Sequence, residues 1–592
     1  MPFSNLSSFV SHLEKNNHLH RIKVEVDPLL EITEIVSRVA ENKGPALLFE
    51  NVKGSRFPIV VNTLAHEDRI KWALGRHPAE VGDEIGSLLK DAMPPNFSTL
   101  WKHRRSFSKI LAMKPCQVNS PSFKKNRIEP SDLEQLPIAQ TWPLDGGRFM
   151  TYPLVITKSP VDGKQNMGVY RMHTYNKNQT GMHWQIGKGG GFHYKQAEEL
   201  NQNLPVSVVL GADPILMLCG VLPLPEGLDE IVFAGFLRGQ STSVASLNRN
   251  NMRVPAEAEF ILEGTVPPHE RRMEGPYGDH FGHYSLAAPF PIFNVEKIWH
   301  RDNAIFPISV VGKPPQEDQV VGDAVQQMLL PLLKFIHPEI SDMWAYMEAG
   351  FHNLLVISVK QRFEKEGVKS ALWAFGEGQL SLSKCIIVVD SHVNPRDIHA
   401  VLKAVRENFI PSQDFILLPG TSQDTLDFTS FKMNLGSKMI LDATQNSQQA
   451  NQKIPVLNHQ KIRSMDPRII SSFLLDDTFL IIKVDTKSSP LTGREILKKM
   501  INLTEINDVK MVAAVSDDIP LDNQTLLLWG IFTRFDCQRD SFFQKVELKG
   551  GHPLYSGPLM IDATWKPGYP DPVSMTPNII KKVDQRWKDY GF

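Results

Sequence analysis

The N-terminal part of the chain alternates between short apolar runs and one helical pattern. The runs RIKVEV, ALLFENV and PIVVNTL lie within residues 20–75 and favour β-strands. Apolar residues between these runs recur at the spacing of a single helical face, and they are Leu29, Ile32, Val36 and Val39. An alternation of strand and helix is typical of a small α/β unit. We therefore predict an N-terminal α/β domain over residues 1–114.

Residues 115–320 have a different pattern. Short β-favouring runs, namely YPLVITKSP, EIVFAGFL, EAEFILEG and FPISVVG, are separated by glycine and proline, and helical periodicity is sparse. This pattern favours a β-barrel or a β-sandwich. The stretch GDAVQQMLLPLLKFI follows at residues 322–336 and predicts a helical linker to the next domain.

The C-terminal part contains an apparent internal repeat. The segment CIIVVDSHVNPRDIHAVLKAVRENFIPSQD, followed later by KMILDAT, is echoed by KMVAAVSDDIPLDNQTLLLWGIFTRFDCQRD, followed later by LMIDAT. Each copy predicts a strand, an Asp-rich turn, a helix and a terminal strand. We expect a C-terminal α/β domain over residues 321–445, a polar linker over 446–469 and a second copy of the α/β unit over 470–592.

Composition and charge exclude several classes of protein. The 592 residues are too many for one core, since a domain has about 100 to 200 residues. The 64 Lys and Arg residues against 65 Asp and Glu residues provide no general attraction to nucleic acid or to an anionic membrane. The four cysteines form no Cys-x-x-Cys pair, so we expect no zinc site, no disulfide framework and a cytoplasmic location.

Residues 166–194, NMGVYRMHTYNKNQTGMHWQIGKGGGFHY, concentrate groups that could bind an anion. Their glycine run, residues 187–191, allows backbone N–H groups to approach phosphate oxygens, and Lys188 could neutralise one charge. The run matches neither a Walker A loop nor a G-x-G-x-x-G helix start, so a flexible turn is an alternative. The histidines of this segment could equally be structural groups, and Arg171 could be an ordinary surface ion-pair residue.

A second segment, EGPYGD at residues 274–279, places two carboxylates on either side of a proline and two glycines. Gly, Pro and Asp are common turn residues, and acidic side chains usually lie in water. An ordinary turn is therefore one interpretation of this segment, and a pair of catalytic acids is the other.

Together these segments resemble the UbiD family of reversible decarboxylases, which use prenylated FMN. The resemblance rests on Asn166-x-x-x-x-Arg171, on GMHW with the glycine run, on Glu230 in LDEIVFAGFL and on EGPYGD. The segments SKCIIVVDSHVNPRD and LGSKMILDAT also look like the family's C-terminal domain. The resemblance implies a mixed α/β and β fold, with an N-terminal α/β domain, a central split β-barrel that binds flavin, a helical linker and a C-terminal α/β domain, here followed by the apparent second copy.

The resemblance also implies the positions that hold the cofactor and a metal. Asn166 and Glu230 correspond to ligands of a divalent metal, manganese, that bridges to the cofactor phosphate, with potassium as a further candidate cation. His193 is the nearest candidate for a third ligand, because Gly187 and Lys188 occupy the places where some members have a histidine. The positions implied for prenylated FMN are Asn166, Val169, Tyr170, Arg171, His183, Trp184, Gln185, Lys188 and Gly189.

In the same resemblance, Glu274 and Asp279 correspond to two catalytic acids and Arg171 to their ion-pair partner. A carboxylate paired with Arg171 should stay ionised, whereas an acid in a partly dry pocket has a raised pKa and can carry a proton. We therefore expect Asp279 to be the proton donor.

The implied function is that of a non-oxidative carboxy-lyase acting on an aromatic hydroxy acid. The length of the chain resembles that of the longer menaquinone-route members, which favours 1,4-dihydroxy-6-naphthoate as substrate. The alternative substrate is 4-hydroxy-3-polyprenylbenzoate of ubiquinone biosynthesis, which would favour contact with the membrane periphery. The implied partners are the small aromatic acid, a flavin prenyltransferase that supplies the cofactor, and further copies of the chain in a homo-oligomer, with no nucleic acid.

Two interpretations from other classes remain open at this point. A β-barrel with a site for a flavin phosphate is also compatible with a flavin oxidoreductase. The chain could also be a non-catalytic scaffold in which EGPYGD is only a turn.

Overall fold

The computed structural model describes residues 3–91, 109, 113–184, 189–224, 227–247, 251–445, 453–487 and 491–592. The chain forms two compact units, Met1–Met328 together with Pro572–Phe592, and Leu329–Asp571. The boundary between them falls inside one long helix, Glu317–Ile336, which contains the predicted helical linker. Among the residues described, no helix combines the length and apolar character needed to cross a membrane.

The first unit begins with a four-stranded sheet and its helices. The strands, in spatial order, are Leu19–Ile22, Ala46–Phe49, Ile59–Val61 and Phe306–Pro307. The helices are Leu6–Lys15, Glu31–Glu41, Glu67–Leu74 and Pro78–Asp91. The predicted helical face is present, since Ile32, Val36 and Val39 are buried on Glu31–Glu41. The FPISVVG run supplies the last strand of this sheet and therefore does not belong to the barrel.

The centre of the first unit is a ten-stranded antiparallel sheet that curls into a half-barrel. Eight strands cross it in the order Phe149–Met150, Met172–Asn176, Gln179–Gly181, Ala288–His300, Phe260–Val266, Leu204–Leu210, Leu154–Lys158 and Gln165–Val169. Asn126–Ile128 and Arg271–Glu274 pair with the longest of these strands. The smaller sheets consist of Met252–Pro255, Ser243–Leu247 and Cys116–Gln117, and of Tyr277–Gly278 and Tyr284–Ser285. The predicted mixed α/β and β class is confirmed.

The prediction of a strand at EIVFAGFL is wrong, because this segment forms the helix Glu230–Arg238. The Asp229 carboxylate accepts hydrogen bonds from two backbone N–H groups of the first turn, and Gly239 ends the helix with a φ of 67°. These end signals outweigh the strand propensity of the apolar residues between them. The other helices of this region are Gly189–Glu199 and Pro214–Cys219.

The second unit contains two five-stranded sheets with the same strand order and the same strand directions. The first consists of Ile340–Ala345, Leu354–Val359, Cys385–Asp390, Leu435–Ala443 and Phe415–Ser422. The second consists of Ile469–Leu475, Phe479–Val484, Met511–Ser516, His552–Ala563 and Ser541–Lys549. In both, the three inner strands are parallel and the two edge strands antiparallel to their neighbours.

Helices accompany each of these sheets, and the two sheets share one apolar core. The longer helices are Glu366–Ala374 and Ile398–Asn408 beside the first sheet, and Thr492–Met500 and Gln524–Phe532 beside the second. The short helices of the second unit are Pro411–Asp414 and His459–Ser464. The shared core includes Leu354 and Ile387 from the first sheet and Phe479 and Ile561 from the second.

The last residues of the chain, 572–592, return to the first unit. We call this segment the C-terminal tail, and it contains the helix Pro577–Arg586. The buried Glu31 carboxylate binds Lys582 Nζ at 2.8 Å, accepts a hydrogen bond from the Tyr590 hydroxyl at 2.7 Å and contacts Arg586. The sequence pattern of the repeat gives no sign of this return.

Candidate active site

The EGPYGD segment, called here the acidic turn, is not a solvated turn. Glu274 ends the strand Arg271–Glu274 and is 1% exposed, and Asp279 follows the strand Tyr277–Gly278 and is 7% exposed. Gly275 has a φ of 89°, a backbone conformation that a side chain would strain. The turn therefore folds both carboxylates into the protein, which excludes the interpretation of an ordinary surface turn.

Arg171 joins the two carboxylates. Its Nε donates to Glu274 Oε1 at 3.0 Å, its Nη1 contacts Asp279 Oδ2, and its Nη2 donates to Ser285 Oγ at 3.0 Å. The guanidinium carbon also lies 4.8 Å from the centre of the Tyr277 ring. The arginine side chain is only 9% exposed, so it is not an ordinary surface ion-pair residue. Two guanidinium nitrogens thus contact the carboxylates of the acidic turn, and the third binds Ser285 on the strand Tyr284–Ser285.

His183 provides a second contact to Glu274. Its Nδ1 lies 2.8 Å from Glu274 Oε1, and its ring packs against Phe290 with 4.2 Å between the ring centres. Burial and the charge of Arg171 lower the pKa of His183, so the ring is neutral near pH 7. Although burial alone would raise it, the neighbouring His183 and Arg171 lower the pKa of Glu274. Glu274 is therefore ionised, as predicted from the sequence.

Asp279 differs from the expectation in one respect. Burial opposes its ionisation, but the charges of Arg171 and His280 hold its pKa well below the usual range of a carboxyl group. The expected raised pKa is therefore wrong for this arrangement, because both carboxylates contact Arg171 and neither is left to carry a proton. The role of Asp279 as proton donor stays a prediction, and it requires that the charge of Arg171 be shared with another anion.

Asn166 and Glu230 lie together, on a strand of the half-barrel and at the start of a helix. Asn166 Nδ2 donates to Glu230 Oε1 at 3.0 Å, and the backbone N–H of Met167 donates to Glu230 Oε2 at 2.8 Å. Burial raises the pKa of Glu230 to about 7. Asn166 Oδ1 is buried and has no hydrogen-bond partner within the described part of the chain. This set of oxygen atoms fits a hard divalent cation such as Mn²⁺.

His193, the predicted third metal ligand, lies near this pair on the helix Gly189–Glu199. Its Nδ1 is 2.8 Å from the hydroxyl oxygen of Thr157, and Thr157 is paired directly with Asn166 across two neighbouring strands. Paired residues have side chains on the same face of the sheet, so His193 lies on the Asn166 side. Three or more His, Cys, Asp or Glu side chains do not gather into a metal site among the described residues. The third ligand remains a prediction.

The helix Gly189–Glu199 begins against the residues predicted to bind flavin. A Cβ atom on Gly189 would lie 2.6 Å from Asn166 Cγ, and one on Gly190 would lie 2.6 Å from Trp184 Nε1. The Gly190 N–H donates to the Tyr170 hydroxyl at 3.4 Å. Glycine is therefore needed for this approach, and the N-terminus of a helix suits a phosphate group.

Two predicted flavin-binding residues, Gln185 and Lys188, lie outside the described residues, and so does Gly187. Val169 lies at the end of the strand Gln165–Val169 and donates its N–H to the Gly220 carbonyl oxygen at 3.1 Å.

Several buried polar atoms of the predicted site have no hydrogen-bond partner among the described residues. They are Asn166 Oδ1, His183 Nε2, Trp184 Nε1 and Glu274 Oε2. Such atoms are uncommon in folded proteins, because an unpaired buried polar group is costly. A polar ligand with several donors and acceptors, such as a flavin phosphate, fits this set of atoms.

Sequence reasoning missed three residues that shape the site. Asp145 anchors the acidic turn through a hydrogen bond from the Gly278 N–H. His280 Nδ1 lies 2.7 Å from Asp279, and Asp318 interacts electrostatically with Asp279 and His280. None of them belongs to a motif with a recognisable spacing. The position of His280 directly after the predicted donor was the one available signal.

Three family models match the chain. Residues 10–89, 114–314 and 319–443 match the N-terminal, Rift-related and C-terminal domains of 3-octaprenyl-4-hydroxybenzoate carboxy-lyase. An uncharacterised protein of Chlamydia caviae is 36% identical over 591 residues, which cover 100% of this chain and 99% of that protein. A Chlamydia pneumoniae protein that is named as one of the subunits of a 4-hydroxybenzoate decarboxylase is 35% identical over 99% of this chain and 98% of that protein.

Solved structures agree with the fold. The closed form of the vanillic acid decarboxylase of Sedimentibacter hydroxybenzoicus matches with a TM-score of 0.68 and 24% identity, over 78% of this chain and 98% of that chain. HmfF of Pelotomaculum thermopropionicum, solved in complex with prFMN, matches with a TM-score of 0.62 and 22% identity, over 75% and 95%. The domains and their order thus define a carboxy-lyase. The chain belongs to the UbiD family, which confirms the predicted family and enzyme class.

Proposed function

We propose that the chain is a non-oxidative decarboxylase that uses prenylated FMN to remove the carboxyl group of an aromatic hydroxy acid. The observation that carries this proposal is the buried contact of Arg171 with both Glu274 and Asp279. Burying three ionisable groups in a nearly dry site costs free energy of desolvation. Such clusters are frequent at active sites, where the groups serve catalysis. HmfF, a relative in fold, was solved with prFMN, which supports the choice of cofactor.

Prenylated FMN would be held at both of its ends. Its phosphate would face the start of the helix Gly189–Glu199 and a Mn²⁺ ion on Asn166 and Glu230, with His193 as the third candidate ligand and K⁺ as a further cation. The other residues that would hold the cofactor are those implied by the sequence, namely Val169, Tyr170, Arg171, His183, Trp184, Gln185, Lys188 and Gly189. When bound, the cofactor supplies the electron-accepting group that stabilises the charge left by departing CO2.

The protein's own residues would bind the substrate and move one proton. A substrate carboxylate that approaches Arg171 competes with Asp279 for the guanidinium, so the pKa of Asp279 rises and this side chain takes up a proton. Glu274 stays ionised through Arg171 and His183, which keeps the arginine oriented. After CO2 leaves, Asp279 donates its proton to the carbon that carried the carboxyl group.

Three aromatic acids are candidate substrates. We favour 1,4-dihydroxy-6-naphthoate in menaquinone biosynthesis, because the chain extends beyond the matched C-terminal domain by a second five-stranded sheet. The name of the Chlamydia pneumoniae relative supports 4-hydroxybenzoate instead, and the family description supports its polyprenylated form.

We also propose the domain boundaries 1–114, 115–320, 321–445, 446–469 and 470–592, in which the last two ranges contain a linker and a duplicated α/β unit, and residues 572–592 return from the latter to the first unit. A detail shared by the two sheets supports duplication. Asp442 Oδ1 accepts hydrogen bonds from the N–H and hydroxyl groups of Thr444, and Asp562 Oδ1 accepts the same pair from Thr564. The same order of strands in the two sheets also supports duplication.

The test is to purify the chain after co-expression with a flavin prenyltransferase. We expect the mass and absorbance of prenylated FMN, about one divalent metal per chain, and the loss of both in Glu230→Ala. CO2 release is then measured from 1,4-dihydroxy-6-naphthoate, 4-hydroxybenzoate and a 4-hydroxy-3-polyprenylbenzoate. Turnover of 1,4-dihydroxy-6-naphthoate alone supports our choice of substrate. Turnover of one of the other two acids instead would make that acid the substrate. Bleaching of the flavin by reduced nicotinamide without any CO2 release would establish the flavin oxidoreductase instead.

The oligomeric state and location are tested separately. We propose a cytoplasmic homo-oligomer, and a native mass of one chain at micromolar concentration would refute that state. Retention of the chain by liposomes only in the presence of a polyprenylated substrate would support peripheral contact with a membrane.

A further inference from the structure

Decarboxylation consumes one proton for each CO2 released, so the proton donor must be reloaded after every turnover. The balanced reaction converts one aromatic carboxylate and one proton into one CO2 and one arene carrying a new C–H bond. Asp279, the proposed donor, is only 10% exposed through its side chain. Its proton must therefore arrive through a neighbouring group.

The two oxygens of Asp279 face different neighbours. Oδ2 contacts Arg171, which does not release protons in proteins because its pKa is too high. Oδ1 accepts a hydrogen bond from the backbone N–H of His280 at 2.8 Å, and the His280 Nδ1 lies 2.7 Å from the same oxygen. The His280 side chain is 27% exposed. It thus connects the surface to the oxygen on the side away from the arginine.

We propose that His280 conducts protons from solvent to Asp279. The imidazolium form donates its Nδ1 proton to Asp279 Oδ1 after the carboxyl group has given its own proton to the product carbon. The neutral imidazole keeps its proton on Nε2 and then takes one proton from water or buffer at Nδ1, which restores the imidazolium. No electrons are transferred, and one solvent proton is consumed for each CO2. This inference rests on the proposed function, and His280 is a positioning and proton-supplying residue rather than a group that touches substrate.

The groups that face His280 support its charged form. Asp279 does so from the acidic turn, and Asp318 does so from the first turn of the helix Glu317–Ile336. Asp318 Oδ2 is buried and has no hydrogen-bond partner within the described part of the chain. Tyr277 and Arg171 also interact electrostatically with Asp279. Histidine has an ordinary pKa of about 6.5 and can therefore take up and release a proton near neutral pH, which is the property a relay needs.

The experiment compares the first turnover with later turnovers in His280→Gln. Glutamine keeps a donor near Asp279 but cannot take up a proton near neutral pH. We expect CO2 release in the first turnover at the wild-type rate and steady-state release slower by about 10²-fold, the lower end of general acid–base effects. Added imidazole should restore the steady state in the variant and leave the wild type unchanged. His269→Gln, at a surface histidine 3.6 Å from Glu198, is the matched control and should behave like the wild type.

Other outcomes overturn the relay. Wild-type steady-state turnover in His280→Gln does so, and so does an equal loss of the first and later turnovers without rescue by imidazole, which indicates a structural role. A second measurement does not need activity: the NMR titration of ¹³C-labelled histidine, with the His280 signal identified by its absence in His280→Gln. Asp279→Asn should lower the pKa of that signal. If the pKa of His280 is unchanged in Asp279→Asn, the relay is overturned and the proposed function stands. If that pKa changes but the protein releases CO2 from none of the acids, the proposed function is overturned and the relay with it.

Discussion

The Asp145 Oδ1 atom accepts a hydrogen bond from the backbone N–H of Gly278 at 2.7 Å, which fixes the acidic turn to a loop more than a hundred residues earlier in the chain. The other carboxylate oxygen accepts hydrogen bonds from the N–H and hydroxyl of Thr141 and from the N–H of Trp142. Asp145 is thus the link that positions Asp279 relative to Arg171.

We expect Asp145→Asn to weaken the acidic turn. Asparagine keeps one acceptor oxygen, and its amide group then faces N–H donors that it cannot bind. An unsatisfied buried group costs about 1–3 kcal/mol, so the melting temperature should fall. CO2 release should fall with it, while cofactor content should stay at the wild-type level. Asp162→Asn, an exposed turn residue that accepts from the Lys164 N–H at 3.1 Å, is the control and should leave both unchanged. Unchanged turnover in Asp145→Asn would remove this residue from the positioning of the site.

The C-terminal tail gives a second prediction. The Val573 N–H donates to the Gly282 carbonyl oxygen at 3.0 Å, and its side chain packs beside Gly278. Ending the chain after Asp571 should therefore lower both turnover and melting temperature. Part of the loss comes from Glu31, which is 1% exposed and would lose Lys582, Arg586 and Tyr590.

A double variant separates the contribution of Glu31 to the loss of stability from that of the rest of the C-terminal tail. An unpaired buried charge costs on the order of 3 kcal/mol, so Glu31→Gln should raise the melting temperature of the truncated chain while lowering that of the full chain. The same sign of change in both chains would contradict the pairing of Glu31 with the tail.

The sequence predicted some parts of the molecule correctly and others incorrectly. Arg171, Glu274 and Asp279 could be identified because they lie in short motifs, and the structure brings them together. The helix Glu230–Arg238 was missed because its apolar residues favour strands, and its ends are fixed by Asp229 and Gly239. Period alone does not separate a short buried helix from a buried strand.

The other features that the sequence did not predict depend on contacts between distant segments. Asp145, Asp318 and the C-terminal tail are distant from the acidic turn in the sequence and approach it only through the tertiary fold, and their local sequences resemble ordinary loops and helix starts. The raised pKa expected for Asp279 failed for the same reason, since the sequence does not show that one arginine contacts both acids.

Asp318 gives a prediction about pH. Burial raises the pKa of this carboxyl group to about 7 in the folded protein, above the ordinary value of 3.8. The folded state therefore binds the extra proton between about pH 4 and 7, and stability falls as pH rises through this window. Asp318→Asn cannot ionise, and its amide oxygen can still accept from the Gln319 N–H that now donates at 2.9 Å.

We expect the melting temperature of Asp318→Asn relative to the wild type to be higher at pH 8 than at pH 5. The melting curves of both proteins at the two pH values provide the comparison. Equal differences at pH 5 and pH 8 would show that Asp318 does not titrate in this window.

The last prediction separates the roles of the two carboxylates on Arg171. Asp279→Asn keeps the shape of the side chain but removes the acid, so steady-state CO2 release should fall by about 10²- to 10⁴-fold, the usual range for general acid–base catalysis. Cofactor content should barely change. Solvent-deuterium exchange at the carbon that loses the carboxyl group should fall in parallel, because the same proton serves both reactions.

Glu274→Gln should impair turnover for a different reason. Arg171 loses the counter-charge that orients it, and His183 loses a carboxylate acceptor at 2.8 Å, so the apparent affinity for substrate should fall together with turnover. Glu263→Gln is the control, because Glu263 is a buried carboxylate that accepts from Trp299 Nε1 at 2.6 Å on another strand of the half-barrel. It should change stability without changing exchange. Near wild-type turnover and exchange in Asp279→Asn, with both reduced in Glu274→Gln, would reverse the assignment and make Glu274 the proton donor.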